Sequence, residues 1–83
     1  MENKKKLLNI ISKVFKIELQ LVNLDSSSDN IKGWDSLGMV NLIMEIEIAF
    51  DVKFDVLEIA DLNSIEKIII NLESKNIDFS KAN

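Results

Sequence analysis

Gly33-Trp34-Asp35-Ser36-Leu37-Gly38-Met39-Val40-Asn41-Leu42-Ile43-Met44-Glu45-Ile46-Glu47-Ile48-Ala49-Phe50-Asp51 is the stretch that decides how this chain folds. Asp35 suits a helix N-cap, because its carboxylate accepts the unpaired N–H groups of a first turn and complements the positive end of the helix dipole. At 100° per residue, Met39, Leu42, Ile43, Ile46 and Phe50 fall within an arc of roughly 100°, the width of a core-facing stripe. The spacing therefore predicts a helix from Ser36 to about Asp51. Leu37, Val40, Met44 and Ile48 fall on a flank about 100° to 180° away, where a helix of so small a protein should meet water. Bordered by Glu45, Glu47 and Asp51, this flank reads as a partner-binding patch with a charged rim. A bundle that wraps the helix on two sides, with a short helix over one part and a loop over another, would instead cover these residues. Ser36 lies in the first turn, between the core arc and the flank, with its hydroxyl accessible.

Toward the N-terminus, Leu7, Leu8, Ile10, Ile11, Val14 and Phe15 recur at helical spacing among lysines, which predicts an amphipathic helix over about 3–17. From Glu18 to Trp34 the period fades, and Asp25-Ser26-Ser27-Ser28-Asp29-Asn30 with Gly33 is dense in turn formers. A long loop is expected there, pinned to the helices by several of Leu21, Leu24, Ile31 and Trp34, since structureless loops of this length are unusual in compact domains. Beyond the central helix, Asp55 can cap a short helix over part of 52–62. Asn63 followed by Glu66 resembles a capping box, with Ile65, Ile68, Ile69 and Leu72 on one face as far as about Lys75. The β-branched run Ile68 to Ile70 has no second strand to pair with, so it belongs to that helix. The expected fold is all-α: a small bundle of three main helices plus one short helix, with the long loop between the first and second.

Eighty-three residues leave room for one domain and one core, because smaller chains bury too little surface to support more. The domain is expected over 1–83 with an ordered core of about 4–76, Met1–Asn3 and Asp78–Asn83 being frayed. The absence of both Cys and His removes disulfides, thiolate and imidazole metal sites, and the commonest proton shuttle near neutral pH. No cluster unites nucleophile, base and orienting group, so no enzyme is expected. The longest apolar runs, Ile68-Ile69-Ile70 among them, fall far short of the roughly 20 residues that span a bilayer. With no signal-type segment after Met1–Lys6, the chain reads as cytoplasmic.

Charge is unevenly placed. Residues 1–34 carry six Lys against four acids, 35–66 eight acids against Lys53, and 67–83 three Lys against two acids. The acidic middle would repel nucleic acid and attract a basic protein partner, although an acidic face can also be merely solvated. Asp25, Ser27 and Asp29 alternate as in a calcium loop, but Asn30 stands where that loop needs Gly and Ser36 where it needs a bidentate Glu. An unmodified helical interaction module gripping its partner through Leu37, Val40, Met44 and Ile48 is a further reading of the residues.

Gly33 to Glu47, with Asp35-Ser36-Leu37 near its start, resembles the attachment site and second helix of the acyl carrier protein family, the phosphopantetheine-binding carriers of fatty-acid, polyketide and related pathways. Phe50-Asp51 is similar to that family's helix ending, and Asn63-Ser64-Ile65 to the start of its last helix; the likeness spans about 5–75. The resemblance implies that a phosphopantetheinyl transferase moves 4′-phosphopantetheine from coenzyme A to Ser36, making a phosphoprotein. The arm's thiol then carries acyl or aminoacyl groups as thioesters, and supplies the sulfur that the chain lacks. It also implies that Asp35 caps the helix and keeps a negative charge beside Ser36 for the transferase and its Mg²⁺. Leu37, Val40 and Met44 would dock partner enzymes, while Glu45, Glu47 and Asp51 meet basic partner residues. Met39, Leu42, Ile43 and Ile46 would line a core able to loosen around an acyl chain. Implied partners are the transferase, an acyl- or aminoacyl-loading enzyme, and synthase or transferase enzymes, served by a monomer. Gly38, Asn41 and Ile48 stand where housekeeping fatty-acid carriers usually have acids, so the chain looks more like a discrete carrier of a specialised pathway.

Overall fold

Lysine-flanked apolar positions at the N-terminus form α1, Asn3–Phe15, with Leu7 and Ile11 fully buried. The computed structural model describes residues 3–23 and 25–79. Lys16 takes the left-handed conformation, φ 55°, which stops the helix just short of the expected 17. Ser12 secures that end: its carbonyl accepts the Ile17 N–H at 3.1 Å and its hydroxyl donates to the Ile17 carbonyl at 2.6 Å.

The long connection is pinned to the core as anticipated, by two of the expected residues and by one that was not among them. Ile31 and Trp34 are buried, whereas Leu21 is exposed and Val22 is buried in its place; Leu24 lies outside the described residues. A 3₁₀ turn at Leu19–Leu21, closed by Leu21 N–H on the Glu18 carbonyl and Val22 N–H on the Leu19 carbonyl, rotates Val22 inward. Farther along, Ser28 N–H donates to the Asn63 carbonyl at 2.9 Å and Ile65 N–H to the Ser26 carbonyl at 3.0 Å, tying the loop to the last helix.

The central helix is α2, Ser36–Phe50, ended by Asp51 in the left-handed conformation. The short helix is α3, Val56–Ala60, opened by a full capping box between Asp55 and Glu58. The last is α4, Ile65–Ser74, which takes up the β-branched run as a helix. Its cap is Ser64, not Asn63: the Ser64 hydroxyl accepts the Lys67 N–H at 3.1 Å. The bridge to the serine loop engages the carbonyl of Asn63 and the N–H of Ile65, and this places the helix start one residue later.

Leu7, Ile11, Leu42, Ile46, Leu62, Ile65, Ile68 and Leu72 form the closed centre between the helices, each side chain contributing about 1.5–3 kcal/mol relative to exposure. At one end, Lys6 lies over the Phe50 ring, 4.9 Å from its centroid, and donates to the Ala49 carbonyl at 3.1 Å. The C-terminal segment reaches the same place. Phe79 is buried, its ring 6.1 Å from that of Phe50, and the Asn3 side chain donates to the Asp78 carbonyl at 2.9 Å. Structure therefore extends past the expected core at Asn3, Asp78 and Phe79; Met1, Glu2 and Ser80–Asn83 lie outside the described residues.

Candidate functional site

The tip of α2 is built from three adjoining constraints. Asp35, in extended conformation, accepts the Gly38 N–H on Oδ1 at 3.0 Å, and its carbonyl accepts the Met39 N–H at 2.7 Å. One residue earlier, the buried Trp34 ring stacks on Phe15 with centroids 5.3 Å apart and planes 20° from parallel. Gly33, at φ 94°, turns the chain into this cap, and its carbonyl oxygen lies so close to Gly38 that a β-carbon there would collide with it. The helix start is thus held from behind by a ring stack and from within by a close backbone approach.

Ser36 is the first residue of α2 and is exposed. Its hydroxyl has no hydrogen-bond partner among the described residues. The chain has no His or Cys, and no described residue accepts a hydrogen bond from this hydroxyl, so none is placed as the base that a nucleophilic serine needs. The geometry offers an accessible hydroxyl at a helix tip fixed by a cap, a ring stack and a close backbone approach.

The two faces of α2 divide as the helical period predicts. Leu42, Ile43, Ile46 and Phe50 are buried and Met39 is half-buried, whereas Leu37, Val40, Met44 and Ile48 are 75%, 54%, 54% and 76% exposed. Neither the loop nor α3 covers the stripe. Glu45 and Asp51 are exposed beside it. Glu47 is half-buried, and one of its oxygens accepts the Phe54 N–H at 2.9 Å, which fixes the turn between α2 and α3. Part of its charge is therefore used inside the fold.

Val56 and Leu57 on α3, at 80% and 84%, are the most exposed large apolar residues described, and the helical period of the segment does not mark them. The available signal was the shortness of the segment, since a helix of so few residues between Asp55 and Asp61 cannot bury every apolar side chain. Also missed was the polar anchor of α3. Glu58 Oε2 accepts from Lys75 at 2.7 Å and from Asn71 at 3.2 Å, and its Oε1 accepts the Asp55 N–H at 2.9 Å. The Lys75 hydrogen bond foremost, then that backbone N–H, hold the Glu58 carboxyl below its ordinary range.

Among the described residues no group of His, Cys, Asp and Glu is arranged to hold a metal ion, and no helix is long and apolar enough to cross a membrane. Asp25, Ser27, Asp29 and Asn30 are bound into turns of their own loop, with Asp29 N–H on the Ser27 hydroxyl at 3.1 Å and Ser27 N–H on the Asn30 side chain at 2.9 Å.

The sequence has recognisable relatives. The family described as "Phosphopantetheine attachment site" matches residues 5–72. An acyl carrier protein of Buchnera aphidicola subsp. Schizaphis graminum (strain Sg) is 37% identical over 73 residues, covering 87% of this chain and 91% of that protein.

Proposed function

This chain belongs to the acyl carrier protein family, a carrier of covalent phosphopantetheine and not a catalyst, and on that premise we propose that Ser36 is the residue that bears the arm. The observation that carries this reading is the uncommitted, exposed Ser36 hydroxyl at the rigid tip of α2, at the head of an uncovered apolar stripe. Ser36 Oγ attacks the pantetheine-side phosphorus of coenzyme A in the active site of a transferase; a new phosphoester bond forms, the diphosphate bond breaks, adenosine 3′,5′-bisphosphate leaves, and the hydroxyl proton passes to the transferase. Asp35 spends Oδ1 on the Gly38 N–H, and its Oδ2 would be the oxygen open to a Mg²⁺ brought by the transferase, which would offset charge on the phosphate. The bound group then supplies a thiol that holds acyl or aminoacyl cargo as a thioester.

Partner enzymes dock on Leu37, Val40 and Met44, with Glu45, Asp51 and the outer side of Glu47 meeting basic residues and speeding encounter. The route served is a specialised one, in a cytoplasmic setting and by a monomer. Ile48 presents an exposed apolar side chain where housekeeping carriers usually have an acid, and the Gly33 carbonyl leaves no room for any side chain at residue 38. An unmodified module gripping a partner through the same stripe fits the exposure but leaves Ser36 without a task.

The test is intact mass spectrometry of the purified protein after incubation with coenzyme A, Mg²⁺ and a broad-specificity phosphopantetheinyl transferase. A gain of one phosphopantetheine mapped to Ser36 is expected. No gain with several transferases, or a gain on another serine, defeats the assignment.

A further inference from the structure

A groove of about 340 Å³ runs between α1 and α2, lined by Ile10, Lys13 and Val14 from one helix and Asn41, Met44 and Glu45 from the other. We propose that this groove receives the acyl group carried on the arm at Ser36, and that it selects a short acyl group bearing a neutral hydrogen-bonding substituent. The inference rests on the carrier reading and deepens it by naming the cargo class.

Three observations lead there. The first is access. Asn41 and Met44 stand roughly 7.5 and 12 Å beyond Ser36 along the α2 axis at 1.5 Å per residue. Met44 belongs both to the groove and to the exposed stripe that begins at Leu37 beside Ser36. An apolar track thus leads from the tether into an opening that already exists. The core around Leu42, Ile46, Leu62 and Ile65 is closed to solvent and would have to part before admitting anything.

The second is composition. Ile10, Val14 and Met44 give the lining its apolar side chains, and Lys13, Asn41 and Glu45 its polar groups. An alkyl chain long enough to fill the groove would strip water from the Asn41 amide without returning a hydrogen bond. A hydroxyl or amide on the cargo returns it. The volume lies near the lower end of small-ligand sites, about 300–1,000 Å³, which suits a short group.

The third is charge. Lys13 on one rim and Glu45 on the other are exposed and in ion pairs with no described residue. A charged cargo would be drawn by one rim and repelled by the other, whereas a neutral dipole can align between them.

The experiment loads isotope-labelled, full-length protein from 3-hydroxybutyryl-, butyryl- or octanoyl-coenzyme A with the transferase and records methyl and side-chain amide NMR spectra. Intact mass is read on each sample. The 3-hydroxybutyryl form is expected to shift the Ile10, Val14 and Met44 methyls and the Asn41 amide relative to the unloaded arm, with butyryl and octanoyl giving smaller shifts. Loss of one hydrogen bond in Asn41→Ala should lower the bound population about fivefold. If the mass gain is complete but the shifts stay at Ser36–Leu37, or appear at Leu62, Ile65 and Ile68, the groove is refuted and the carrier stands. Equal or larger shifts from octanoyl refute the stated cargo class. Absence of any mass gain takes down the carrier reading and this inference with it.

Discussion

The Gly33 carbonyl oxygen rests against the Cα of Gly38, filling the space that a β-carbon at residue 38 would need. In an open helix, Gly→Ala stabilises by roughly 0.5–1 kcal/mol through the unfolded chain and helix propensity. Here the main obstacle is the Gly33 carbonyl, which cannot retreat without opening the turn, and Phe15 Cε1 lies 2.9 Å from the added carbon as well. Gly38→Ala should therefore destabilise, by about 2 kcal/mol. Urea unfolding followed by circular dichroism reads the sign directly, and a gain in stability would contradict the contact.

Ser36 and Asp35 adjoin each other and should separate cleanly on mutation. Ser36→Ala removes an exposed hydroxyl with no partner among the described residues, so stability should stay within about 0.5 kcal/mol while phosphopantetheine transfer is lost. Asp35→Ala removes the Gly38 N–H acceptor and should cost about 1 kcal/mol, with modification slowed. Equilibrium unfolding and intact mass on the same samples check both halves.

What the sequence discloses about this site, and what it withholds, follows from which interactions are local. The two faces of α2 are readable because the helical period alone sets the angle between Ile46, which is buried, and Ile48, which is not. The Asp35 and Asp55 caps are readable because a cap lies within four residues of what it caps. Ser64 and Asn63 are both competent caps, and a hydrogen bond from Ser28, far off in the chain, bears on which one serves. Gly38 reads as a missing acid in sequence and becomes a steric requirement only when Gly33 is seen against it. Glu47, Glu58 and Phe79 likewise acquire their partners through tertiary packing, which carries no periodic signature.

Glu47 and Glu45 look equivalent in sequence and should behave differently in stability. Glu47→Ala leaves the Phe54 N–H without its acceptor in a partly buried turn and should cost about 1.5 kcal/mol. Glu45→Ala, on the exposed rim, should stay within about 0.5 kcal/mol. Thermal unfolding of both variants at neutral pH settles the comparison, and equal losses would show that the turn does not depend on this bond.

The Glu58 anchor gives α3 a pH dependence of defined sign. Its carboxyl is held below the ordinary value of 4.5, chiefly by Lys75. A group with a lowered folded-state pKa binds its proton more weakly in the folded than in the unfolded protein. Its stabilising contribution is therefore complete above the ordinary value and is lost as the pH falls through it toward the lower one. Glu58→Gln should melt below the parent at pH 7, and the gap should narrow as the pH is taken below 4.5. A gap that is constant across that window would mean the Lys75 contact contributes nothing.

Ile48, at 76% exposure, tests whether the stripe is a docking face and of what kind. Nothing in the fold depends on this side chain, so Ile48→Glu should leave stability within about 0.5 kcal/mol. If partners bury it, the variant loses apolar contact area and gains a charge at the rim. Full burial of such a side chain is worth about 1.5–3 kcal/mol, and a partial share of that corresponds to on the order of tenfold weaker binding. The added charge should also steepen the dependence on ionic strength, because rim charges act through screened attraction. Measured as KM and kcat for the phosphopantetheinyl transferase at two salt concentrations, Ile48→Glu should raise KM with kcat nearly unchanged. A KM that does not move at either salt would place Ile48 outside the surface that this enzyme contacts, and would confine docking to the Leu37 end of the helix.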